Sequence, residues 1–96
     1  MKVYQINYDL RNQRNYQDLI TKIKSYGTWA KPLESCWLIA TEQSASQIRD
    51  TLASVMDNDD GLLVTRLQGE AAWRDLDYDT DSTMTNWLKE QLQQAA

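Results

Sequence analysis

A chain of 96 residues with a formal net charge of −4 has the size of one domain. It leaves roughly a third of its unfolded surface exposed after folding, which makes self-association a natural way to bury more. The absence of histidine excludes Ser-His-Asp and Cys-His nucleophile pairs, a histidine base and the ordinary His-containing zinc site within one chain.

Along the chain, Tyr4, Ile6, Tyr8 and Leu10 alternate with Gln5, Asn7 and Asp9, the period of a half-buried strand with one polar face. A polar turn with Asn12 or Asn15 as cap leads into a helix whose apolar positions are Tyr16, Leu19, Ile20, Ile23 and Tyr26, stopped by Gly27. Thr28 to Leu33 is a short strand placed at a sheet edge by Pro32, which has no N–H for a ladder. Ser35 to Thr41 is a longer strand, with Cys36, Leu38 and Ala40 opposite Ser35, Trp37 and Ile39.

Ser44 and Gln47 have the spacing of a capping box, and Ile48, Leu52, Val55 and Met56 form the stripe of a second helix. Asp57-Asn58-Asp59-Asp60-Gly61 ends it, and Leu62 to Leu67 is a fourth strand. The order β-α-β-β-α-β predicts an α+β, ferredoxin-like unit over residues 1–67, with both helices on one face of an antiparallel sheet. Residues 68–96 form an extension of the same single domain (1–96). It holds a possible fifth strand from Glu70 to Leu76, acids at Asp75, Asp77, Asp79 and Asp81, and a helix with Met84, Trp87, Leu88 and Leu92 on its apolar face.

Charge is unevenly distributed. Residues 1–31 carry six basic side chains (Lys2, Arg11, Arg14, Lys22, Lys24, Lys31) against Asp9 and Asp18; residues 32–96 carry four basic against twelve acidic, so the balances are +4 and −8. A phosphate-binding surface is therefore expected from the N-terminal third, unless these cations are only solvated helix faces. With one cysteine, Cys36, and no apolar run of signal or membrane-span length, the chain reads as soluble and cytoplasmic, without an internal disulfide or membrane partner.

Without histidine, hydrolysis would rest on carboxylates with Mg²⁺ or Mn²⁺, or on Arg, Lys and Tyr. Asp9, at the end of a central strand, either caps the adjoining loop or reaches a ligand. Two copies facing each other across a two-fold axis would share a divalent ion that polarises a phosphodiester. Gln5, Asn7 and Trp37 are placed on the open sheet face as a homodimer interface or base-stacking platform, with Trp73 added from the extension; a tryptophan at such a position is more often plain core, and that is the competing reading of Trp37. The Asp57–Gly61 stretch departs from a calcium loop, since its glycine falls one place early and position twelve is Gln68. It reads as a helix exit.

The Tyr8-Asp9-Leu10 strand end, Arg14, Tyr26-Gly27, Ser35-Cys36-Trp37 and Asp60 before Leu62-Leu63-Val64 together resemble the small CRISPR-associated protein that partners the spacer integrase. The VapD-type interferase toxins belong to the same superfamily. The resemblance covers about residues 1–67 and implies a homodimer pairing through its sheets, with metal-dependent nuclease activity in some members and a structural, nucleic-acid-bridging role in others. It implies Asp9 as the catalytic, metal-binding aspartate, with Tyr8 beside it and Arg14 and Ser35 at the nucleic acid; Arg11, from the basic N-terminal third, is placed with them as a nucleic-acid contact. It also implies a protein partner encoded nearby. The acidic balance and the helix after Ser82 depart from the family pattern.

Overall fold

The alternating N-terminal segment forms β1 (Lys2–Asp9) at the centre of a four-stranded antiparallel sheet. The computed structural model describes residues 1–11, 16–34, 36–77 and 83–92. The elements that follow β1 are α1 (Gln17–Lys24), β2 (Trp29–Leu33), β3 (Cys36–Thr41), α2 (Ala45–Ala53), β4 (Gly61–Arg66) and α3 (Thr83–Trp87), the last continuing as a π-helical segment over Leu88–Leu92. Strand order across the sheet is β2-β3-β1-β4, so β1 and β3 are central and β2 lies on an edge, as Pro32 requires. The β2–β3 register shifts between Ala30 and Leu33, around that proline. The radius of gyration, 13.3 Å, matches the ~13 Å of a packed domain of about 100 residues.

Local chemistry accounts for the helix ends. Ser44 Oγ accepts from Gln47 N at 3.2 Å while Gln47 Oε1 accepts from Ser44 N at 2.9 Å, the reciprocal capping box expected for α2. The residue before α1 is Tyr16, which makes no side-chain cap bond; Asn12 and Asn15 lie outside the described residues. Gly27, at φ +85°, turns the chain from α1 into β2 in a conformation that a Cβ disfavours.

Residues directly opposite in an antiparallel pair share a face, and this decides what each side of the sheet buries. Tyr4 pairs with Ile39 and Ile6 with Trp37. All four pack with Leu19 and Ile23 of α1 and Ile48 and Leu52 of α2, and Tyr8 and Leu10 border them. Trp37 is therefore core on the helix side, 2% exposed, and not a neighbour of Gln5 and Asn7. Those two pair with Leu38 and Cys36. The sequence-based placement of Trp37 on the open face is thus reversed: β1 must turn Tyr4 and Ile6 to the helices, and the register carries Trp37 with them.

The other side of the sheet is only partly open. Val3, Ala30, Cys36, Leu38 and Ala40 bury against Met84, Leu88 and Leu92, with Leu67, Trp73, Leu76 and Trp87 around them. The expected apolar face of the last helix is thereby spent on its own chain. Glu70 to Leu76 has no strand conformation. This stretch follows the Leu67 N–H···O=C bond to Val3 (2.9 Å) and precedes that of Asp77 to Pro32 (2.9 Å), and Trp73 Nε1 donates to Thr85 Oγ1 at 3.1 Å. Trp73 is thus a docking residue within the chain. No helix of the described residues is long and apolar enough to cross a membrane.

Candidate functional site

At the Asp9 end of β1 two loops are tied together by one arginine. Asp9 pairs with Gly61 across the β1–β4 ladder, and Arg11, two residues on, folds back over that pair. Its Nε lies 3.4 Å from Asp9 Oδ2, its Nη1 donates to the Asp59 carbonyl at 2.9 Å, and its backbone N–H donates to Asp60 Oδ1 at 3.2 Å. A Cβ at position 61 would sit 2.9 Å from Arg11 Nη2, so glycine leaves room for the guanidinium. The Asp9–Arg11 pair is exposed on both sides, and such a pair adds at most about 1 kcal/mol.

Beside this knot the α2–β4 turn gathers Asp57, Asp59 and Asp60, with carboxylate oxygens within 4.8 Å of one another. Asp60 Oδ2 also accepts from Asp57 N at 3.0 Å, which closes the turn. Three convergent carboxylates suit a hard cation such as Mg²⁺ or Mn²⁺, and exposed acids also occur together without one. The candidate cation ligands therefore lie in the turn read from sequence as a plain helix exit. Asp9 stands across Arg11 from them. The signal available was the density of acids in four residues; their convergence follows from the turn that Asp60 closes.

Tyr8 links this end to a second site. Its hydroxyl accepts from Trp37 Nε1 at 3.2 Å, and Tyr8, Asp9, Tyr16, Lys31 and Glu34 border a hollow of about 320 Å³. Arg14 and Ser35, the other expected nucleic-acid contacts, lie outside the described residues. Gln5 Nε2 donates to Asn7 Oδ1 at 2.9 Å on the opposite face, alongside Thr65 and Leu63 of β4. Leu63 is 62% exposed.

Along the free edge of β2 runs a larger cleft, about 580 Å³, walled by α1, β2, Trp37 and α3. Trp29 and Trp37 stand with ring centroids 5.5 Å apart and planes tilted by 54°, the offset geometry aromatic pairs prefer. Lys24 Nζ lies 5.0 Å from the Trp29 centroid and 6.0 Å from that of Trp37, and Lys31 Nζ lies 5.4 Å from that of Trp37. Sequence reasoning used Lys24 and Lys31 only as charge and did not join them to Trp29, because they meet across two elements. No family model matches the chain, and no solved structure matches it.

Proposed function

We propose that this protein acts on nucleic acid, and that the acidic turn beside Asp9 holds a divalent cation for phosphodiester hydrolysis. The observation that carries the reading is the convergence of the Asp57, Asp59 and Asp60 carboxylates on the sheet end where Arg11 bridges Asp9 and the same turn. The resemblance of residues 1–67 to the CRISPR-associated and VapD-type superfamily supports it, as does a strand order compatible with a ferredoxin-like unit. A bound cation supplies charge neutralisation and polarises a phosphoryl oxygen. Asp59 is the exposed member of the three. Arg11 orients a non-bridging phosphate oxygen by exchanging its weak contact with Asp9 for a charge-assisted bond. Asp9, relieved of Arg11, is then positioned to accept a proton from water. The setting is a cytoplasmic one, as the composition suggests.

The test is cleavage of single-stranded RNA and of duplex DNA by purified protein with Mg²⁺, with Mn²⁺ and with EDTA. Wild type is expected to cut one of them only with metal, and Asp9→Ala and Asp59→Asn to lose at least about tenfold in rate. Cutting that persists in EDTA, or in both variants, sinks the mechanism.

A second reading, a non-catalytic nucleic-acid-binding or assembly module that pairs with a second copy, is favoured by one observation. Leu63 is exposed beside Asn7 on the half of the sheet face that α3 leaves open. A homodimer through that half would use Gln5, Asn7 and Leu63, without Trp37. Sedimentation of wild type beside Leu63→Glu separates the readings: a dimer lost in the variant, with no cleavage in any metal, selects the module.

A further inference from the structure

We propose that the cleft along the free edge of β2 is a binding site for a nucleotide unit, a planar base with its phosphate, held by Trp29 between Lys24 and Lys31. The site is separate from the acidic turn and needs no metal.

Charge is the first argument. In a chain of net charge −4, the described residues lining this cleft include two lysines and no carboxylate. Neither ammonium has a carboxylate within ion-pair distance among the described residues. Each is held over a tryptophan face instead. A cation–π contact at a partly exposed site is weak, of order 0.5–1 kcal/mol, so a phosphate that offers an ion pair can draw the ammonium off the ring.

Shape is the second. Trp37 is 2% exposed and pinned by its bond to the Tyr8 hydroxyl, which makes it a fixed wall. Trp29 is 36% exposed and offers an accessible ring, over which Lys24 now lies. Bases stack on such rings without regard to sequence. Ala30, Met84 and Trp87 supply an apolar wall from the other side of the strand, and the volume falls in the range of small-molecule sites.

Backbone is the third. Ala40 N donates to the Thr28 carbonyl at 2.9 Å, so alternation along the ladder turns the N–H and C=O of Trp29 away from β3, toward the open edge. These groups suit the donor and acceptor edge of a base. An extended peptide would use the same groups, yet it has no need of two lysines, and the lysines favour the nucleotide.

The experiment titrates full-length protein in EDTA with 5′-AMP, adenosine, inorganic phosphate and a short single-stranded oligoadenylate, read by tryptophan fluorescence and by heat. 5′-AMP is expected to quench Trp29 and to bind at least about tenfold more tightly than adenosine or phosphate alone. Trp29→Ala is expected to lose about tenfold. The pair Lys24→Gln and Lys31→Gln is expected to lose as much and to flatten the salt dependence. Trp29→Phe, which keeps a stacking ring, retains most of the affinity and shows that the loss in Trp29→Ala is not misfolding. Tighter binding of the oligomer identifies a strand as the source of the nucleotide, and equal binding identifies a free nucleotide. Absence of binding by both at millimolar concentration, or binding unchanged in Trp29→Ala and in the double lysine variant, overturns the proposal. Because EDTA is present throughout, this titration reads the cleft alone, and binding here together with no cleavage in the separate Mg²⁺ and Mn²⁺ assays upholds the cleft while refuting hydrolysis at the acidic turn.

Discussion

On the α1/α2 side of the sheet β1, β3 and β4 contribute apolar side chains, from Trp37 and Ile39 in the centre to Leu62 and Val64 on β4, and two helices roof them. On the opposite side the roof is α3 with its π-helical continuation, set over Val3, Ala30, Cys36, Leu38 and Ala40, while Gln5, Asn7, Leu63 and Thr65 form an open half. β3, covered on both sides, is buried from Cys36 to Ala40 and reads as a continuous apolar run, as doubly covered strands do. The difference teaches that the second face is divided by chemistry. The apolar half is closed by the chain's own extension, and the half left open is largely polar.

Matched truncations give the largest effects. Leu52→Ala on the first face empties a fully buried site and is expected to cost about 2–5 kcal/mol in urea unfolding. Leu88→Ala on the second removes the same atoms from a segment with less structure around it, and about 2 kcal/mol is expected. Hydrogen exchange sharpens the contrast. In Leu88→Ala the amides of 84–92 are expected to exchange faster while β1 and β3 stay protected. Equal losses with uniform exchange would mean that the two faces open as one unit.

Much of this frame was readable from residues alone, and the exceptions share a cause. The alternation in β1, the proline at the edge, the Ser44–Gln47 box and the Met84, Leu88 and Leu92 stripe each depend on neighbours a few positions away, so local period and chemistry sufficed. The face of Trp37 did not. Cys36 to Ala40 is apolar at every position, so alternation marks two faces without saying which meets the helices; that follows from pairing with β1, some thirty residues earlier. The candidate cation cluster was hidden because it rests on how one turn closes. The cleft was hidden because Lys24, Trp29 and Lys31 come from two elements joined by Gly27.

Two backbone devices on the helix side come next. Gly27→Ala places a Cβ at φ +85° and is expected to cost about 1–2 kcal/mol. Nothing crowds that position, so the loss measures conformation alone and appears as a lower urea midpoint with an unchanged slope. Ser44→Ala removes the acceptor for Gln47 N and is expected to cost about 1 kcal/mol. Both should leave exchange in 84–92 untouched, since neither residue touches the second face; faster exchange there would break the separation of the two sides.

The smallest effect reports on the second face from inside it. Cys36 packs there with Met84, Leu88 and Leu92, and burial raises its thiol above its ordinary pKa because the thiolate is poorly solvated. The unfolded chain therefore releases this proton at lower pH than the folded one. Whatever stability the protonated, packed thiol contributes is fully present below the unfolded pKa. It falls as the pH rises above about 8.5 and continues to fall up to the folded value. Cys36→Ala should flatten that alkaline decline, leaving the part due to Tyr26, whose hydroxyl is raised mainly by burial and only partly offset by Thr51. The rate of Cys36 modification by a disulfide reagent checks the origin. It should be slow at neutral pH in wild type and rise in Leu88→Ala, where the cover is loosened, but not in Ser44→Ala. A thiol equally slow in Leu88→Ala would place its protection in the sheet itself and remove α3 from the account.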